Sequence, residues 1–131
     1  MSTDNSGWEV IHTYSRAQAI ADGVLHDVSE LAKEAGFKHP VAIAEHAWAD
    51  AIAWDNEGKH GQSITGRTWD VLMMAKLAAM NNRSASAMEF KVLRLVNGSN
   101  STKPQPVTLC LHCGPGDTAA PVLTIMAPRD M

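Results

Sequence analysis

The sequence predicts an α+β fold, with a helical N-terminal layer of about four helices packed on a small antiparallel sheet formed mainly by the C-terminal half. Three observations carry this. Capping residues and apolar positions at helical spacing dominate up to Asn82. Strand-forming residues with interleaved charges take over from Met88. Finally, Gly114-Pro115-Gly116-Asp117 separates two strand-like runs, Val107 to Cys113 and Val122 to Met126.

Taken in order, the apolar run Trp8 to Thr13 reads as a strand leading into Ser15, whose hydroxyl can cap a helix with Gln18 three residues on. Gly23 supplies a left-handed stop, so Arg16 to Asp22 is a short helix. Asp27 with Glu30 repeats the capping pattern, and Gly36 ends a second helix. Pro40 suits the first turn of a third helix, with Val41, Ala44, Ala47, Trp48, Ala51 and Ile52 on a buried face and Glu45, His46 and Asp50 opposite. Asp55 to Thr65 is a polar loop. The fourth helix places Trp69, Leu72, Met73, Leu77 and Met80 on one stripe. Met88 to Val96 reads as a strand closed by Asn97-Gly98. Val107 to Cys113 then pairs with Val122 to Met126.

Length and composition bound the class of protein. With 131 residues, 45% hydrophobic and 19% charged, one domain over 1–131 is expected, loose only at 1–7 and 129–131. A net charge of -3 excludes non-specific nucleic-acid binding, which needs clustered cations to displace counterions from phosphates. No apolar run reaches the roughly 20 residues that span a bilayer, and the N-terminus lacks signal-peptide order. A cytoplasmic protein without membrane contact is expected. There the two cysteines are read as free thiols, and the Asn97 and Asn100 sequons as chance.

Cys110-Leu-His-Cys113 has the spacing of a redox or zinc pair, but strand alternation puts Cys110 and His112 on one face and Cys113 on the other. No second Cys or His pair follows to complete a tetrahedral site. The Gly-Pro-Gly-Asp turn can be read as an anion-binding nest of amides or as a plain hairpin turn. His12, Tyr14 and Arg16 form the best polar constellation outside the hairpin, because an arginine at a helix start can grip phosphate or carboxylate bidentately. His46 and Asp50, one helical turn apart, read as a solvated face. Trp48 and Trp69 are expected in the core, whereas Trp8 and Trp54 sit at element ends where an aromatic can serve a partner. Ser15 is needed as a cap, so no acyl-transfer triad assembles. The residues expected to bind a ligand or partner are His12, Tyr14, Arg16, Trp54, Arg67 and Asp117, with no catalytic group, metal ligand or cofactor.

The blocks YSRAQAI at 14–20, DGVL at 22–25, DVS at 27–29, AKEAG at 32–36, TGRTWDVL at 65–72, CGPGD at 113–117 and PVLTIMAP at 121–128 resemble a family of small uncharacterised proteins on bacterial plasmids and phages. The resemblance covers nearly the whole chain and implies a setting instead of a mechanism. Mobile elements carry small accessory proteins for persistence and for blunting host defence. It therefore implies a non-enzymatic binding protein that inhibits a host defence complex by protein-protein contact, of the anti-CRISPR or anti-restriction type. Two alternatives stand beside it. One is a sponge for a small nucleotide or other anionic signal, held by Arg16, Arg67 and the Gly-Pro-Gly-Asp amides. The other is a nucleotide-acting enzyme, since His12-Thr-Tyr-Ser15 before a short helix resembles the start of an ADP-ribosyl transferase; the absence of any Glu after Glu89 counts against it. Homodimerisation is the default expectation for so small a domain.

Overall fold

The computed structural model describes residues 14–55 and 59–131; the expected strand Trp8 to Thr13 lies outside them. Helix α1 (Arg16–Ala21) starts as the sequence predicts, with Ser15 Oγ accepting from the Gln18 amide at 2.9 Å. Gly23 at φ +79° ends the turn after it. Strand β1 (Leu25–Asp27) follows, then α2 (Ser29–Ala35). The expected Asp27–Glu30 capping box gives way to a tighter turn: Asp27 Oδ1 accepts from the amide and hydroxyl of Ser29, at 3.0 and 2.5 Å. Gly36 closes α2 at φ +103°, and a Cβ there would lie 2.7 Å from Lys76 Nζ. That ammonium donates to the last carbonyl of the helix, Ala35 O, at 2.9 Å.

The largest correction falls at residues 41–44. They form strand β2 (Val41–Ala44), all four buried, and helix α3 begins only at Glu45 and runs to Ala51. A strand covered on both faces reads as an unbroken apolar run, which over four residues has no period to separate it from a buried helix turn.

Helix α4 (Ile64–Asn81) is followed by β3 (Ala87–Arg94), β4 (Gln105–Pro115) and β5 (Pro121–Met126). The strand order is β1-β2-β5-β4-β3. The expected β4–β5 hairpin is present, with Cys113 opposite Leu123 and Leu111 opposite Ile125. The sheet is mixed, however, because β5 runs parallel to β2, with Val41 opposite Leu123 and Ile43 opposite Ile125. Every other pair is antiparallel.

This register brings Val41, Ile43, Leu123, Ile125, Leu111, Leu109, Phe90 and Val92 onto one face, against Ala32 and Ala35 of α2, Ala47 and Ala51 of α3, and Val71, Leu72 and Ala75 of α4. Alanines dominate the helical side, so the backbones sit close to the sheet. Their choice also rotates α4 away from its expected stripe. Thr68, Val71, Leu72 and Ala75 face the core, while Trp69, Met74, Leu77 and Met80 are exposed, Leu77 to 50%. Because α4 carries apolar residues on two faces, their size does not reveal which face is covered. Among the described residues no helix is long and apolar enough to cross a membrane.

Candidate functional site

Two aspartates flank β5, and each clamps the start of a helix. Asp117, in the β4–β5 turn, accepts from the Arg16 amide at 2.6 Å and the Ala17 amide at 3.0 Å. These bonds, with the Arg16 charge, hold its carboxyl below the usual range despite a smaller opposing effect of burial. Asp130, in the short 3-10 turn after β5, accepts from the amides of His46 and Ala47 at 3.0 Å each and of Ala127 at 2.8 Å, and pairs with His46 Nδ1 at 2.8 Å. Burial alone would raise its pKa, yet the combined bonds lower it. The tail expected to be loose is thus anchored. No periodic pattern in the sequence signals this, since the capping aspartates lie far along the chain from the helices they serve.

Most of the residues expected to bind a partner make hydrogen bonds within the fold, Tyr14 and Asp117 at its surface. His12 lies outside the described residues. Tyr14 donates to Asp22 Oδ2 at 2.7 Å. Arg16 reaches the sheet instead of solvent: Nη1 donates to Thr124 Oγ1 at 2.7 Å and Nη2 to Leu123 O at 2.6 Å. Asp117 accepts from the first amides of α1, so the hairpin turn serves as a helix cap while the residue itself stays exposed. Trp54, expected at the surface, is 6% exposed. His46 and Asp50 pair with Asp130 and Arg129 in turn, and not with each other. Cys110 is buried and Cys113 half-buried, both as free thiols, and Cys113 packs on the core side of β4. No group of three metal-ligating side chains occurs among the described residues.

Arg67 differs from all of these. Ser63 caps α4, accepting from the Gly66 amide at 3.0 Å, and so sets the first turn that carries Arg67 inward to 3% exposure. Its Nε donates to Ile52 O at 2.8 Å, and Nη1 donates to Leu95 O at 2.9 Å and Gln62 Oε1 at 3.1 Å. The guanidinium carbon lies 4.9 Å from the Trp54 ring centroid. Nη2 is buried and has no hydrogen-bond partner. Beside the ring, His60 holds the left-handed region at φ +55°, a costly conformation for a residue with a Cβ.

A cleft of about 110 Å³ opens here, lined by Gln62, Arg67, Asp70, Arg94 and Leu95. Arg94 is tied to Asp50 O at 2.8 Å and Gln105 O at 2.9 Å. Burial, then the Arg94 charge, lower the Arg67 pKa, with Asp70 opposing. Among the described residues neither arginine forms an ion pair with a carboxylate. A second opening of about 360 Å³ shares Gln62, Arg67 and Asp70 and is bordered by Ser63, Gly66 and Trp69 at the start of α4. The first opening thus gathers two arginines, one of them desolvated with an unused donor, and the carboxylate of Asp70, next to the N-terminus of α4. The sequence points to Arg67 as a cation near a helix start, but not to Arg94, which reads as one more charge on an alternating strand.

No curated protein and no solved structure matches the chain. A family model described as "Family of unknown function (DUF6573)" matches residues 1–131, and the chain belongs to that family.

Proposed function

We propose that this is a non-enzymatic binding protein that captures the anionic group of a small ligand, such as a nucleotide, in the cleft between Arg67 and Arg94. The observation that carries the reading is the buried Arg67 Nη2 without a partner. A buried guanidinium nitrogen left without a partner costs about 1–3 kcal/mol or more, which an anion's oxygen would offset. In this reading the phosphate takes the smaller opening, which Arg67 and Arg94 both line. A base then extends into the larger one, where Trp69 offers a ring. Because Trp54 lies against Arg67, its emission reports occupancy. Titration with inorganic phosphate and a nucleotide panel, followed by fluorescence and calorimetry, should give binding for phosphorylated ligands and none for the matching nucleosides. Absence of heat and of any Trp54 change with every oxyanion would falsify the reading.

A second reading is favoured by the exposed Trp69, Met74, Leu77 and Met80 along α4. It makes the protein a cytoplasmic accessory of a plasmid or phage that inhibits a host defence complex, of the anti-CRISPR or anti-restriction type, by protein-protein contact. Protection of phage or plasmid in a host carrying such a system, lost on Leu77→Asp with folding intact, is the expected result. No protection with the unaltered protein would sink it.

A further inference from the structure

Strand β3 stands at the edge of the sheet, paired with β4 from Ala87 opposite His112 to Arg94 opposite Gln105. Its other edge pairs with no strand among the described residues, and an eight-residue unpaired edge is a template for another strand. A largely apolar groove of about 340 Å³ runs beside it, lined by Met73 and Met74 of α4, Val92 and Leu93 of β3 and Pro106 of β4, with Asp70 and Lys91 as its two charged members. Glu89 and Lys91 are exposed neighbours on the strand face turned away from Phe90 and Val92.

We infer that a second copy of this chain occupies this edge, pairing β3 with β3 antiparallel about a two-fold axis at Phe90 and joining the two sheets into one. The charges select both occupant and register. An antiparallel two-fold pairing that keeps the buried face continuous must centre on a residue. Centring on Glu89 opposes Glu89 to its own copy, and centring on Lys91 does the same for lysine. Both oppose like charges. Centring on Phe90 places each Glu89 across from Lys91 of the other copy, twice by symmetry, and sets Met88 opposite Val92 on the core side. The groove residues Met73 and Met74 then meet their counterparts over the joint, adding apolar burial to the strand pairing. Glu89 and Lys91, which in a monomer would merely blunt the edge, here specify the partner.

Charge reversal tests this with a reciprocal design, using sedimentation velocity on the full chain across a concentration series. The unaltered protein should dimerise. Glu89→Lys and Lys91→Glu should each convert two attractive pairs into two repulsive ones and weaken dimerisation about tenfold or more. Mixing the two variants should restore a dimer, because each copy now opposes the other with complementary charge. The double variant E89K/K91E should also dimerise. Both positions are exposed, and circular dichroism checks that each variant folds. A wild-type monomer at the highest concentrations, single variants that dimerise unchanged, or a mixture that stays monomeric each overturns the inference. The outcome is independent of whether the Arg67 cleft binds phosphate.

Discussion

The flanks of β5 and the first turn of α4 deal with charge in opposite ways. At β5, Asp117 and Asp130 are each met by helix amides, so their charge is balanced by donors and by the positive end of a helix. At α4, Arg67 is more deeply buried, has the charge of Arg94 nearby, and leaves Nη2 unused. Charges of the first kind hold structure together. A charge of the second kind burdens the fold, and the proposed anion is what would offset that burden.

Removing an aspartate should therefore cost stability, and removing the arginine should cost binding. The largest effect is expected for Asp130→Ala, which leaves three amides and His46 without their acceptor. A loss of about 2–3 kcal/mol in urea unfolding follows from helix-cap and hydrogen-bond costs. Asp117→Ala should destabilise less, because that carboxylate is exposed and water can replace it; the two midpoints in the same denaturant series settle the order.

Acid sharpens the contrast. Asp117 and Asp130 both have lowered pKa values in the fold, so their stabilisation is complete above the ordinary value of 3.8 and is lost as pH falls through the folded values. His26, stacked on Trp48 at 4.1 Å, is held below its ordinary 6.5 by burial, against the pull of Glu45. Its unfolded form takes a proton first, so a shallow loss of stability should begin as pH drops below 6.5. Thermal melts across pH should show both limbs, and Asp130→Ala should flatten only the acidic one. The smallest stability effect is expected from Arg67→Met. Relief of a buried charge offsets the lost bonds to Ile52 and Leu95, giving a net change within about 1 kcal/mol. Phosphate affinity should nonetheless fall about tenfold or more, because the charge-assisted donor is gone. A large stability loss with unchanged phosphate binding would make Arg67 a structural group like the aspartates.

The α+β class, the helix ends at Ser15, Gly23 and Gly36, and the β4–β5 hairpin were legible because each rests on local chemistry, a cap or a turn written in adjacent residues. Strand β2 was not, since four buried apolar residues carry no period. The covered face of α4 was hidden for a related reason: contact is made through small alanines, whereas sequence patterns weight large side chains such as Trp69 and Leu77. At the site, Arg67 could be singled out as a cation, but its burial depends on Ile52, Leu95 and Gln62, and its repulsive neighbour Arg94 comes from another layer. Proximity between layers is a property of topology, and no single segment records it.

The place of β5 has a kinetic meaning as well. It is the last of the described strands yet lies in the middle of the sheet, between β2 and β4. During synthesis, β1–β2 and β3–β4 can each form locally and can be bridged through Arg67 of α4 and Arg94 of β3, but the sheet itself stays in two pieces until residues 121–126 are made. Closure then requires the parallel β2–β5 match across most of the chain, a slow step for loop-closure reasons. Until it occurs, the flanks of β2 and β4 stay open, and the nascent chain is most prone to aggregation.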